Sequence, residues 1–253
     1  MGKNKLAKFA EMETNPLVLQ YPFGRLKAEG FDSFPLRGRW RRDFFGNDNP
    51  VVLELGCGKG EYTVGLARLF PDKNFIGIDI KGARMHAGAT TALREGMKNV
   101  AFLRTSIELL ESFFAPGEVD ELWITFPDPQ MKKASKRLTG TRFISLYRRV
   151  AAPGAVVRLK SDSPFLYAYT RAMASLNGLE ISIDTPDLYH SGLVDPILGI
   201  RTHYESQWLA RGLSIKYLVF ALDGNDSLAE PPDEFERDTY RSYSRGYISE
   251  LDS

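Results

Sequence analysis

Residues 51–61, VVLELGCGKGE, bring an apolar run, an acid and three alternate glycines together where a strand should turn into a helix. Val51–Leu55 reads as a buried strand, and helical spacing resumes over Tyr62–Phe70. Between them Gly56, Gly58 and Gly60 let backbone approach a ligand without Cβ clashes. Glu54 falls at the strand's carboxyl end, facing the crevice where open α/β sheets bind ligands. The bland alternative is a tight strand-to-helix turn with no ligand.

Two details choose between ligands. The third glycine comes one position too early for the dinucleotide fingerprint G-x-G-x-x-G. An acid two residues before the first glycine would repel a pyrophosphate and attract an ammonium or sulfonium. S-adenosylmethionine carries both cations and no phosphate.

The 253 residues, 43% of them hydrophobic, can bury a full core and fit one α/β domain with terminal elaborations. The expected divisions are a basic arm and entry segment over 1–45, a core domain over 46–223 and an acidic tail over 224–253, packed on the domain or partly disordered. The longest apolar runs are strand-length, and Met1–Ala10 is too rich in lysine for a secretory signal, so no membrane partner is expected. Cys57 is the sole cysteine, which excludes an internal disulfide and fits a reducing cytoplasm; with three scattered histidines it leaves no recognisable zinc site.

The net charge of +1 hides an asymmetry. Lys3, Lys5, Lys8, Arg25, Lys27, Arg37, Arg39, Arg41 and Arg42 make the N-terminal arm basic. Lys132, Lys133, Lys136, Arg137, Arg142, Arg148 and Arg149 form a second cluster with no intervening acid. One such cluster is ordinarily a solvated face, but two flanking a cofactor crevice point to a polyanionic substrate.

Strands are expected at Val51–Leu55, Asn74–Ile80, Val100–Arg104, Glu121–Phe126, Ala155–Lys160, Glu180–Asp184 and Ser214–Leu222, with helical segments between most of them. This alternation predicts a mostly parallel seven-stranded sheet covered on both faces, closed at one edge by an antiparallel hairpin. The hairpin's long connection, Thr185–Gly212, has the length of a functional loop. A helix from Leu36 would carry Trp40, Phe44 and Phe45.

Asp79 ends the strand FIGID, where such folds place a carboxylate for ribose hydroxyls. Thr105 and Ser106 follow the next strand, where a hydroxyl can contact adenine; N-capping of Ile107–Phe114 is the competing account. Phe126-Pro127-Asp128-Pro129 follows ELWITF, and the two prolines restrict the backbone that aims Asp128 into the same crevice.

These motifs, joined to Lys132-Lys133, Lys136-Arg137, the KSD of 160–162 and Thr202-His203-Tyr204-Glu205, are similar to the bacterial tRNA (guanine-N7)-methyltransferases, the TrmB family. The resemblance spans roughly residues 50–220. It implies a class I Rossmann-like methyltransferase fold and a cytoplasmic enzyme, monomer or homodimer, with no obligatory protein partner. The reaction it implies transfers a methyl group from S-adenosyl-L-methionine to guanosine N7 at position 46 of the tRNA variable loop. It assigns the cofactor to Glu54, Gly56, Asp79, Thr105, Ser106 and Asp128, and makes Asp128 the catalytic residue. It assigns substrate to Lys132, Lys136, Arg137, Asp162, Thr202, His203, Tyr204 and Glu205. Thr105-Ser106 stands where many members carry Asp, and Gln130 replaces the usual aromatic after FPDP. A class I methyltransferase for protein or small molecules would keep Glu54 and Asp79 without needing the basic clusters.

Overall fold

Every residue of Val51–Leu55 is buried, because this apolar run forms β2 at the middle of the sheet and is covered on both faces. The computed structural model describes residues 3–232 and 234–240. Its other strands are β1 (Val18–Gln20), β3 (Asn74–Asp79), β4 (Val100–Arg104), β5 (Val119–Thr125), β6 (Ala151–Ser161), β7 (Ile181–Thr185) and β8 (Lys216–Ala221). Their order is β1-β4-β3-β2-β5-β6-β8-β7. The pairs from β1 through β6 are parallel, while β8 runs antiparallel to both β6 and β7. The hairpin and the alternation match the expectation.

The sheet has eight strands where seven were expected. The extra one comes from the basic arm, which supplies α1 (Lys3–Thr14), β1 and α2 (Phe23–Glu29). β1 has only three residues, all half-buried, so it offers no alternating pattern to read. It exists because β4 presents a free edge: Val18, Leu19 and Gln20 pair with Phe102, Leu103 and Arg104. The side chains of Lys3 and Lys5, and residues 241–253 of the expected tail, lie outside the described residues. Trp40–Phe45 forms a six-residue π-helical turn, shorter than the helix expected from Leu36. Its buried Trp40 donates its indole N–H to the Phe113 carbonyl (2.9 Å), and its amide donates to the Glu118 carboxylate (3.0 Å).

The remaining helices are α3 (Glu61–Leu69), α4 (Gly82–Arg94), α5 (Leu110–Phe113), α6 (Thr141–Arg148), α7 (Pro164–Leu176) and α8 (His203–Ala210). Period-two alternation divides the core. Val51, Leu53 and Leu55 pack with the apolar faces of α5, α6 and α7, whereas Val52 packs with those of α3 and α4. The chain adds β3 and β4 on one side of β2, then returns to place β5 on the other. That reversal opens a crevice above the carboxyl ends of β2 and β5, the position where open α/β sheets bind ligands.

Glycine sets how closely the loop after β2 approaches α4. A Cβ on Gly88 would lie 2.7 Å from the Lys59 carbonyl oxygen and 2.9 Å from the Gly60 Cα. Gly88 has ordinary helical backbone, so Gly88→Ala tests this packing without backbone strain. Overpacking of this kind costs about 1–3 kcal/mol. The variant is expected to melt earlier and to bind cofactor more weakly, measured by thermal denaturation and calorimetry.

Candidate active site

The glycine loop is built by hydrogen bonds from its neighbours. Gly56 and Cys57 donate their amides to the Ile78 carbonyl (2.8 and 3.0 Å), and Gly58 donates to Asp79 Oδ2 (3.0 Å). All three glycines have positive φ, 80°, 56° and 73° in order, a region that other side chains enter only with strain. Cys57 is buried; desolvation, with Glu54 and Asp79 nearby, pushes its thiol pKa up, which makes it a packing residue and not a nucleophile.

Glu54 lies beneath this loop, 3% exposed. Its Oε2 accepts from the Thr63 amide (2.8 Å) and the Thr63 hydroxyl, and its Oε1 accepts from the Thr125 hydroxyl (2.7 Å). A carboxylate has about four lone-pair positions, so one remains, on Oε1. Glu54 thereby joins β2 to the start of α3 and to the end of β5. Asp79 is more open: Oδ2 takes Gly58 and Oδ1 takes the Lys81 amide (2.7 Å), leaving each oxygen a second acceptor position.

Thr105 is 1% exposed, and its hydroxyl has no hydrogen-bond partner. Ser106 does not cap the turn that follows it, so capping does not explain this pair of hydroxyl residues. A buried hydroxyl without a partner costs free energy, on the order of 1–3 kcal/mol, unless a ligand supplies one. Its place is after β4, the strand that pairs with the Asp79 strand.

Asp128 sits after β5, exposed, between buried Pro127 and Pro129. Phe126 and Gln130, two residues either side of it, both adopt left-handed backbone (φ 50° and 47°). Each such residue costs on the order of 1–3 kcal/mol and persists only where the surroundings enforce it. Here Phe126 donates its amide to the Lys160 carbonyl (2.8 Å), and Asp128 Oδ1 accepts from the Gln130 amide (3.0 Å). Lys132, Lys133 and Lys136 follow, all exposed. Arg137 is not: it is 8% exposed and donates to the carbonyls of Gln130 (3.3 Å) and Met131 (3.1 Å).

β6 ends in Lys160 and Ser161, followed by Asp162, all fully buried. Lys160 Nζ pairs with Glu205 Oε1 (2.8 Å) and donates to the carbonyl of Leu198 (2.7 Å). Desolvation lowers the Lys160 pKa, and the Glu205 charge opposes it. Glu205 also accepts from the Tyr189 hydroxyl (2.8 Å) and, with Thr202, forms a capping box that starts α8. Thr202 and Glu205 are thus buried and engaged in fixing the long loop, whereas His203 is exposed and Tyr204 half-buried. Asp162 Oδ2 accepts from the Tyr240 hydroxyl (2.7 Å).

The crevice therefore gathers the glycine loop, Asp79, Thr105, Asp128 and Asp162 at the carboxyl ends of five neighbouring parallel strands. Sequence reasoning missed Thr63 and Thr125, the partners of Glu54, as well as Lys160 and the contacts of Asp238 and Tyr240. Nothing in a lone Thr marks it as a carboxylate's donor, but KSD already placed Lys160 beside a proposed site residue.

A family model described as a putative methyltransferase matches residues 48–218. The chain is 64% identical over 241 residues to a tRNA (guanine-N(7)-)-methyltransferase of Porphyromonas gingivalis, covering 94% of this chain and 98% of that one. The protein of the same name from Bacteroides fragilis is 58% identical over 251 residues, 99% of this chain and 98% of its own. Among solved structures, an antibiotic-related methyltransferase superposes with a TM-score of 0.53 at 16% identity, over 76% of this chain and 97% of that one. The 16S rRNA methyltransferase KamB gives 0.53 at 15% identity, over 73% and 91%. The structural likeness supports the fold alone.

Glu54 carries a pH test. Desolvation pushes its carboxyl up from an ordinary 4.5 to about 7, against the pull of the Thr63 and Thr125 hydrogen bonds. A folded-state pKa above the unfolded one means that the native protein binds this proton more tightly. The resulting stabilisation is full below about 4.5 and lost as pH rises through about 7. Glu54→Gln is expected to flatten the pH dependence of stability across that window, by at most about 3 kcal/mol for a shift of this size. Denaturant titrations at several pH values measure it.

Proposed function

The chain belongs to the tRNA (guanine-N7)-methyltransferase family, and on that premise we propose that it methylates guanosine N7 at position 46 in the variable loop of tRNA, using S-adenosyl-L-methionine. The observation that carries this reading is Asp128, an exposed carboxylate on a doubly proline-restricted loop between the glycine crevice and three exposed lysines. The relatives' names supply the substrate class.

The residues present fit the cofactor. Asp79 keeps an acceptor position on each oxygen for the ribose hydroxyls, Thr105 has a hydroxyl in want of a partner for the adenine, and Gly56–Gly60 permit close backbone approach. Bound S-adenosylmethionine supplies a methyl group on a sulfonium. Guanine N7 has an available lone pair, so the protein need not remove a proton from it. What these residues contribute is placement: holding two reactants in near-attack geometry is worth roughly 7–11 kcal/mol in favourable cases. Methylation leaves a cationic purine, and the carboxylates of Asp128 and Asp162 stabilise charge as it develops. Lys132, Lys133 and Lys136 hold phosphates of the RNA, which is recognised by backbone and shape. No helix among the described residues is long and apolar enough to cross a membrane.

Incubating the protein with an unmodified tRNA transcript and methyl-labelled cofactor, then mapping the label by nuclease digestion, is expected to yield N7-methylguanosine in the variable loop. Label elsewhere, or none, overturns the reading. Asp128→Asn is expected to slow single-turnover methylation by about 10²-fold, the scale of losing one preorganised electrostatic group. Cofactor affinity, measured by calorimetry, should change far less; equal losses in both would make Asp128 a binding residue only.

A further inference from the structure

Arg137 belongs to a basic run, yet its guanidinium faces the protein. It lies 4.3 Å from the Tyr169 ring centroid and 4.8 Å from that of Phe165, both on α7. Its Nε and Nη2 donate to the carbonyls of Gln130 and Met131, the residues that close the Asp128 loop. The Tyr169 hydroxyl in turn donates to Glu230 (2.6 Å). We propose that Arg137 is a positioning residue: it clamps the left-handed Gln130 and so holds Asp128 toward the crevice, and it contacts no RNA. The planar fork and ring stacking require arginine; lysine offers a point charge with neither.

This rests on the methyltransferase reading above and is tested beside it. Arg137→Lys and Arg137→Ala are both expected to lower kcat at least 10-fold, since a misplacement of about 1 Å at a reacting centre can cost roughly 10²-fold. The KM for tRNA and the salt slope of tRNA binding should not move. Lys132→Ala, by contrast, should flatten that slope by about 0.7–0.9, one neutralised phosphate. Should Arg137→Lys behave as wild type while Arg137→Ala flattens the slope, Arg137 is an RNA contact and the proposal falls. Where Arg137→Ala does not fold, Arg137→Lys decides alone: faster amide hydrogen exchange over residues 128–133 supports the clamp and unchanged exchange overturns it. A wild-type protein that methylates no tRNA defeats the functional reading, whatever these variants do.

A separate observation concerns Asp162. The segment after β8 runs back along α7, from Asn177 to Ser163, and returns to the crevice. Asp238 accepts from the Ser163 hydroxyl (2.5 Å) and the Phe165 amide (3.0 Å), and Phe235 packs edge-on against Phe165 and Tyr169. Two residues beyond Asp238, the Tyr240 hydroxyl donates to Asp162 Oδ2 (2.7 Å) and its ring packs edge-on against Trp208 (5.5 Å). Asp162 is fully buried in this arrangement. Guanine presents N1–H and the N2 amino group side by side, a donor pair suited to a carboxylate. If Asp162 takes that edge as well as stabilising charge on the ring, the phenol occupies the guanine's place. We infer that Tyr240 is a latch that closes the guanosine subsite in the free protein and opens when tRNA binds.

A closed fraction reduces apparent affinity in proportion. Tyr240→Phe keeps the ring on Trp208 and removes the donor, so the KM for tRNA is expected to fall, by about 5-fold for a hydrogen bond of ordinary net strength. In the wild type, tRNA should accelerate hydrogen exchange over residues 234–240. An unchanged or raised KM, or exchange slowed by tRNA, overturns the latch. Asp162→Asn separates the premise: if it leaves the KM for tRNA unchanged, the guanine-edge role of Asp162 fails independently of Tyr240.

Discussion

A buried carboxyl group beside a glycine loop ties the two halves of this sheet together at the carboxyl ends of its central strands. Glu54 ties β2 to β5 through Thr125 and to α3 through Thr63. The strand order reverses across that same β2–β5 pair. The glycine loop that follows β2 is held separately, by the Ile78 carbonyl and the Asp79 carboxylate of β3. Burial makes the Glu54 carboxyl costly to ionise, and three donors from two threonines are what make it tolerable. A structural task and a place at the crevice floor are compatible, because one acceptor position on Oε1 remains.

A second buried charge organises the end of β6 and the long loop before β8. Lys160 and Glu205 are both fully buried and paired at 2.8 Å, with the Leu198 carbonyl and the Tyr189 hydroxyl completing their hydrogen bonds. Removing one member of such a pair typically costs 3–5 kcal/mol, since the other is left unpaired in low dielectric. The pair pins the start of α8 and the long connection before β8 onto β6. It does so next to Asp162, so rigidity in the loop becomes definition in the crevice.

Much of this was legible in the chain. The core strands from Val51 to Ala221 announce themselves through apolar runs bounded by turns, and Asp79, Asp128 and the glycine loop follow from their positions at strand ends. β1 escaped because three half-buried residues carry no period. The surroundings of Arg137 were not legible, because a charge count cannot tell a solvated arginine from one lying against two aromatic rings. Thr202 and Glu205 looked like substrate contacts, and in the structure they form a capping box and half of an ion pair. The C-terminal segment was expected to pack on the domain or be partly disordered, but its contacts were not legible: Asp238 and Tyr240 reach the start of α7 and Asp162.

The division has a physical cause. Periodicity, glycine and proline act within a few residues, so the core strands, their turns, the crevice loop and the family could all be read from the chain alone. Partners that meet across the fold were decided only by tertiary structure: Glu54 with Thr125, Lys160 with Glu205, Arg137 with Tyr169, Asp162 with Tyr240. Each joins residues far apart in the chain, and each depends on burial, which raises the cost of an unpaired polar group and so selects the one geometry that pairs it.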